Sequence, residues 1–166
     1  LRYTLGSEDV IRNKNVYLTE MEIKCIRNRW KGLEKNRKIE EIKFLLDIYH
    51  KYSLKNEIAN AISMYEFVTE GAVSELGNLG EHELAIQIDR QSIKESLKCR
   101  RLVHMDYKLY DILWNKQEMA NEKEDKADLK EMADELKSCI SISHYTKRFF
   151  YEKIYRDKLV NVYCQD

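Results

Sequence analysis

The scarcity of residues that interrupt helices constrains this chain most strongly. Its 166 residues include no proline and only five glycines. Proline breaks a helix because it lacks a backbone N–H and its ring clashes with the preceding turn. β-Sandwiches and barrels, in contrast, need turn residues every ~8–12 positions. The sequence therefore predicts an all-α fold.

Composition and charge indicate a folded domain without a strong net electrostatic field. Hydrophobic residues make up 43% of the chain and charged residues 35%, a balance typical of amphipathic helices around a core. Lysine plus arginine and aspartate plus glutamate number 29 each, so no excess of positive charge favours DNA. The chain contains no signal peptide and no apolar run near the ~20 residues of a membrane span. We expect a cytoplasmic protein with no membrane partner.

Apolar periodicity predicts seven helices joined by short turns. Thr19 and Glu22 form a capping box that starts the first helix, and the polar residues 35–37 are predicted to be a turn. The predicted helices span about 19–34, 38–52, 57–78, 82–98, 101–121, 127–142 and 145–162.

Long helices with short connections must pack as antiparallel hairpins. We predict a lead-in at 1–18 and one helical-repeat domain at 19–166. Its predicted parts are hairpins at 19–53, 57–98 and 101–142 and a capping helix at 145–162. Within the second hairpin, Gly80, Ala85 and Ser92 have the spacing of the small packing residues of a tetratricopeptide repeat. The prediction is a right-handed α-α superhelix of the tetratricopeptide type, with about three hairpins and a cap.

An asparagine recurs near the same place in the first helix of each predicted hairpin. It stands in Ile26-Arg27-Asn28, Leu76-Gly77-Asn78 and Leu113-Trp114-Asn115. In a solenoid these helices line the concave surface, where an amide can both donate to and accept from an extended peptide. The alternative is that each asparagine bonds carbonyls at a helix end or between repeats. The hypothetical ligand groove comprises Asn28, Phe67, Glu70, Ser74, Asn78, Tyr107, Asp111 and Asn115.

Several stretches resemble one family of proteins. They are Ser63-Met64-Tyr65-Glu66-Phe67, Ser74-Glu75-Leu76-Gly77-Asn78, Ser92-Ile93-Lys94-Glu95-Ser96-Leu97-Lys98 with Arg100-Arg101, the segment 110–115 and the segment 139–143. They are similar to the C-terminal tetratricopeptide-like region of helix-turn-helix transcriptional regulators from Gram-positive bacteria. The resemblance covers about 19–161 and is strongest over 63–115.

The resemblance implies a sensor and dimerisation domain whose ligand, often a short peptide, shifts the geometry of a DNA-reading domain. In such sensors asparagines on the first helices hold the peptide backbone, which supports Asn78 and Asn115. No helix-turn-helix fits residues 1–18 and the chain starts at Leu1, so we expect the DNA-reading domain upstream. The alternative is a stand-alone tetratricopeptide-like adaptor that docks a protein. A helix-turn-helix of ~60 residues before Leu1 would distinguish the two.

Two charged or aromatic segments point to partners. The last predicted helix contains Phe149, Phe150, Tyr151 and Tyr155, more apolar surface than one stripe needs, and we expect these residues to cap the last repeat and to form a homodimer. The basic residues Lys94, Lys98, Arg100 and Arg101 either meet an acidic partner or peptide carboxylate, or belong to a solvated helix face and turn. The acidic stretch 118–135 is predicted to be a solvated outer face.

The remaining motifs predict no chemistry. The cysteines Cys25, Cys99, Cys139 and Cys164 form no C-x-x-C pair, and we expect reduced, buried thiols. Cys99–His104 and Cys139–His144 are both C-x4-H, a poor helical spacing for two zinc ligands. No Ser/His/Asp arrangement, phosphate loop or H-E-x-x-H motif occurs in the sequence. The prediction is a protein that is not an enzyme and needs neither metal nor cofactor.

Overall fold

The computed structural model describes Cys25 and residues 27–48, 59–123 and 128–165, and it describes the side chains of these residues except 48 and 59–68. All regular secondary structure in these residues is α-helical, which confirms the predicted all-α class. The helices are α1 (Lys35–Ile48), α2 (Ala59–Asn78), α3 (His82–Lys98), α4 (Met105–Glu122), α5 (Leu129–Tyr145) and α6 (Phe149–Tyr163). None of these helices is both long enough and apolar enough to cross a bilayer.

The chain divides into two compact units, residues 1–79 and 80–166. The first contains α1 and α2, and the second contains α3 to α6. The boundary falls inside the predicted hairpin 57–98, so the two helices of that hairpin belong to different units. The tetratricopeptide-like superhelix therefore stays a prediction.

The first unit is built on the packing of α1 against α2. A short helical segment ends at Trp30, and α1 begins at Lys35. The predicted end of the first helix at 34 and the predicted turn at 35–37 are both wrong, because the turn lies at 31–34. There the Gly32 N–H donates to the Arg29 carbonyl at 3.1 Å. Residues 35–37 are polar because they form the exposed first turn of α1.

Gly71 in α2 leaves room for an arginine side chain. A Cβ atom at this position would lie 2.6 Å from the Nε atom of Arg27. The face of α2 around Gly71 is buried and includes Thr69, Ala72, Val73 and Leu76. The glycine therefore lets the side chain of Arg27 cross a buried helix face that is mainly apolar.

In the second unit each helix packs on the next one along the chain. Its core lies among α4, α5 and α6 and consists of Leu113, Ala133, Leu136, Cys139, Ile140, Tyr155 and Val162. The predicted start of the last helix at 145 is wrong, because Tyr145 ends α5 and α6 begins at Phe149. Residues 101–104 likewise form a turn, so α4 begins four residues later than predicted.

Helices α3 and α5 end in the same way. Each is 17 residues long, and α5 starts 47 residues after α3. The Arg101 N–H donates to the Ser96 carbonyl at 2.8 Å, and the Arg148 N–H donates to the Ser143 carbonyl at 2.8 Å. This six-to-one bond, across a residue with positive φ, is a Schellman motif. Both serines are fully buried, so the two helices share their length, their type of C-terminal cap and a buried serine.

A buried ion pair joins the start of α4 to the turn before α6. The carboxylate of Asp106 is fully buried, and its Oδ1 atom lies 3.1 Å from the Nε atom of Arg148. The Tyr155 hydroxyl donates to Oδ2 at 3.0 Å. Burial, followed by the negative charge of Asp106, raises the pKa of Tyr155 well above its ordinary value, which keeps this hydroxyl a donor.

The same guanidinium makes two further contacts. Its Nη1 atom lies 2.9 Å from Nδ1 of His104, the N-cap residue of α4. It also stacks over the Tyr151 ring, 4.2 Å from the ring centroid. Arg148 therefore holds the α3–α4 turn beside the α5–α6 turn.

Replacement of Tyr155 by phenylalanine should destabilise the protein by about 1–3 kcal/mol, because a buried carboxylate oxygen loses its hydroxyl donor. The free energy of unfolding in urea, followed by circular dichroism, measures this loss. Tyr145→Phe is the matched control because Tyr145 is exposed. Equal stability of the two variants would contradict the role assigned to the Tyr155 hydroxyl.

Candidate functional site

Three of the predicted groove residues form one exposed stripe on α2. Glu70, Ser74 and Asn78 follow one another at intervals of four residues, which puts them on the same helix face. All three side chains are exposed. Asn78 is the last residue of α2. This α2 stripe presents a carboxylate, a hydroxyl and an amide in a row.

Two other predicted groove residues lie before this stripe in the sequence. Asn28 is exposed in the helical segment that precedes α1. The side chain of Phe67 lies outside the described residues. The ligand roles of both residues stay predictions.

The corresponding residues of α4 have the same spacing but a different environment. Tyr107 is half-buried, with its ring edge-on to the Tyr151 ring at a centroid distance of 6.3 Å. Asp111 is also half-buried, and its backbone carbonyl accepts a hydrogen bond from the Asn115 amide nitrogen at 2.8 Å. Asn115 itself is only 1% exposed. The stripe on α4 therefore has two half-buried residues and a buried one at its C-terminal end.

The Asn115 amide bridges two helices. Its nitrogen donates to Asp111, so the Oδ1 atom is the acceptor that faces His82 Nδ1 at 2.9 Å. His82 therefore donates from Nδ1 in this pair. The other ring nitrogen of His82 lies 3.4 Å from the Glu122 carboxylate, and the ring is edge-on to Trp114. The Asn115 amide therefore bonds a carbonyl of its own helix and a side chain of α3, as the alternative to a ligand role predicts.

The predicted packing residues of the second unit lie on α3 and just before it. Ala85 and Ser92 are fully buried on α3, which packs on α4. Gly80 has a φ of +77°, a left-handed conformation that favours glycine.

The four aromatic residues predicted to cap or dimerise divide into two groups. Tyr155 is buried in the core of the second unit, and Tyr151 is half-buried beside it. Phe149 and Phe150 are exposed, Phe150 to 72%. Phe149 and Phe150 therefore present the aromatic surface that a partner can contact.

The cysteines depart from the expected burial. Cys139 is fully buried, and burial raises the pKa of its thiol to about 12. Cys25, Cys99 and Cys164 are exposed free thiols, so the prediction of buried cysteines is wrong for them. Cys99 and Cys164 are the C-cap residues of α3 and α6, where the chain leaves the helix and faces solvent.

The C-x4-H motifs also differ in surroundings. His144 contacts the Glu152 carboxylate at 3.1 Å, whereas Cys139 lies in the apolar core. Within residues 27–48, 59–123 and 128–165, and at Cys25, no three histidine, cysteine, aspartate or glutamate side chains come together as ligands for a metal ion.

The exposed α2 stripe is thus the candidate site that the geometry supports best. Comparison of the chain with protein-family models, with curated proteins and with solved structures gave no match. The function is therefore argued from the residues of the chain and their contacts.

The two asparagines should behave differently when each is replaced by alanine. Asn115→Ala should destabilise the protein by about 1–3 kcal/mol, because it leaves the buried His82 ring nitrogen without its acceptor. Asn78→Ala should change stability by less than about 0.5 kcal/mol, because Asn78 is exposed. Urea unfolding measures both values. An Asn115→Ala variant as stable as Asn78→Ala would show that the buried pair contributes nothing.

Proposed function

We propose that this chain is the ligand-sensing and dimerisation part of a helix-turn-helix transcription regulator and that it binds a peptide or protein segment in a groove. DNA is then contacted only through a helix-turn-helix domain outside these residues. The observation that carries the proposal is the exposed polar stripe Glu70, Ser74 and Asn78 on α2.

The spacing of this stripe suits an extended peptide. Residues four apart on a helix are separated by about 6 Å along its axis. Alternate residues of an extended chain are separated by about 6.6–6.8 Å. The difference accumulates to only about 1–2 Å over the three positions, which side-chain rotation can absorb. Successive members of the stripe can therefore face alternate residues of a bound peptide.

The chemistry of the stripe suits a peptide backbone. The Asn78 amide and the Ser74 hydroxyl each both donate and accept, whereas the Glu70 carboxylate accepts from N–H groups. A peptide backbone offers N–H donors and C=O acceptors whatever its sequence. The ligand class that fits is an extended segment held mainly through its main chain.

Structural repetition supports the repeat-protein part of the proposal. Helices α3 and α5 have the same length, the same type of C-terminal cap and an equivalent buried serine. Proteins built from stacked repeats use extended surfaces to bind their partners. A right-handed tetratricopeptide-like superhelix is the repeat architecture we propose.

The alternative function is a stand-alone adaptor that docks a protein segment and never acts on a promoter. The two proposals differ in the oligomeric state they require. A sensor domain of a dimeric regulator should sediment as a homodimer. A monomer at all accessible concentrations favours the adaptor.

The test uses the full chain purified from a bacterial cytosol. Native mass spectrometry detects bound peptides, and fluorescence anisotropy with labelled extended peptides measures affinity. Ser74→Arg should reduce binding at least about tenfold, because a bulky cation then occupies the middle of the stripe. Ser141→Arg, at an exposed position on α5, is the matched control and should bind like the unmodified chain. Equal affinity of the two variants, or no peptide binding by the unmodified chain, would contradict the proposed groove.

A further inference from the structure

Two turns of the second unit, α3–α4 and α5–α6, have similar short sequences. After α3 the chain reads Arg100-Arg101-Leu102-Val103, and after α5 it reads Lys147-Arg148-Phe149-Phe150. Each has a basic residue, an arginine and two apolar residues, with an offset of 47 positions. In each four-residue stretch the first basic residue is exposed, and so is the last apolar residue.

These turns lie side by side. Arg148 of the second turn contacts His104 at the end of the first and pairs with Asp106 just beyond it. The two turns therefore form one edge of the second unit, which we call the turn edge and define as residues 94–106 and 144–153.

The first basic residue of each turn has a backbone conformation that favours glycine. Arg100 has a φ of 53° and Lys147 a φ of 59°. Glycine is the usual residue at this position of a Schellman motif, because other residues pay a steric penalty there. A cationic side chain occurs at this strained position in both turns. Both cationic side chains are exposed to solvent, so their charge is available to a partner.

The turn edge is positively charged at its surface. It contains seven lysine and arginine residues and three acidic residues, whereas the whole chain has no net charge. The three acids, Glu95, Asp106 and Glu152, are buried. Glu95 accepts from Lys98, and Asp106 pairs with Arg148. Hydrogen bonds from Arg156 lower the pKa of Glu152, which therefore stays ionised and paired.

The same edge carries exposed apolar side chains. Nine large hydrophobic side chains are exposed among the described residues, and five of them lie in the turn edge. They are Leu97, Val103, Tyr145, Phe149 and Phe150, of which Tyr145 is 75% exposed. Exposed apolar side chains concentrated on one edge beside cations are typical of a surface that binds a partner.

We propose that the turn edge binds an acidic, linear segment of a partner protein. Carboxylates of the segment pair with Arg100 and Lys147, and its apolar side chains contact Val103 and Phe150. The basic residue and the apolar residue occur together twice at repeat spacing, so a segment that repeats an acidic and an apolar residue matches both turns.

The charge and the repetition favour this occupant over two others. A second copy of the chain in a two-fold dimer would place one positive edge against another. An anionic membrane would match the charge, but a fluid surface does not require the same pair of side chains at each repeat. The turn edge shares no residue with the α2 stripe, so this inference does not rest on the proposed groove.

The probe is a fluorescent peptide that repeats Glu-Leu-Asp-Phe, and its control repeats Gln-Leu-Asn-Phe. Anisotropy with the full chain should show binding of the acidic peptide, weaker binding as ionic strength rises, and at least about tenfold weaker binding of the control. Sedimentation with phosphatidylserine-containing vesicles, and of the chain alone, tests the other two occupants.

The decisive variant is Arg100→Gly with Lys147→Gly. Glycine suits the positive φ at both positions, so the melting temperature should stay the same or rise, while affinity for the acidic peptide should fall at least about tenfold. The control pair Lys43→Gln with Lys130→Gln removes the same charge from exposed positions elsewhere and should bind normally.

Four results would overturn the proposal. The first two are full affinity of the glycine pair for the acidic peptide and equal affinity of the unmodified chain for the acidic and the neutral peptide. The third is binding to anionic vesicles without binding to the acidic peptide. The fourth is self-association that the glycine pair abolishes, when the chain does not bind the peptide.

Discussion

The buried pair of Asp106 and Arg148 is the interaction on which the second unit depends. The carboxylate lies in the first turn of α4, where the partial positive charge of the helix N-terminus favours an anion. Its arginine partner immediately precedes α6, so one ion pair fixes the start of one helix against the start of another. A buried pair of this kind adds little net stability over apolar packing, but the loss of one partner is costly. Its main contribution is therefore position: it sets the two repeated turns side by side.

Much of the helical layout follows from apolar periodicity, and the departures have local causes. Both ends of α3 were predictable because Gly80 stands just before it and a regular apolar pattern fills it. The predicted start of α4 lies four residues too early, since Arg100 occupies the left-handed position where glycine is the usual residue. The polar residues 35–37 at the start of α1 resemble a turn in the sequence. An exposed helix face and a loop are both polar, so polarity alone does not distinguish them.

The candidate site shows what periodicity can and cannot predict. A spacing of four residues puts Glu70, Ser74 and Asn78 on one face of α2, and that face is exposed. The same spacing on α4 leads into the interior, because Asn115 finds its partner His82 33 residues earlier in the chain. Spacing identifies residues that share a face, but only tertiary packing determines which face is buried. The similarity of α3 and α5 at an offset of 47 residues is not among the predictions, because its common features are mainly backbone caps and residue classes rather than identical side chains.

If Arg148 holds the two turns together through Asp106, the two residues must be energetically coupled. A double-mutant cycle with Asp106→Asn, Arg148→Gln and the double variant, analysed by urea unfolding, measures that coupling. We expect each single variant to lose about 3–5 kcal/mol and the double variant to lose little more than either, because the second substitution removes a charge already left unpaired. Losses that add to within about 0.5 kcal/mol would show that the residues act independently and that the alignment of the turns has another cause.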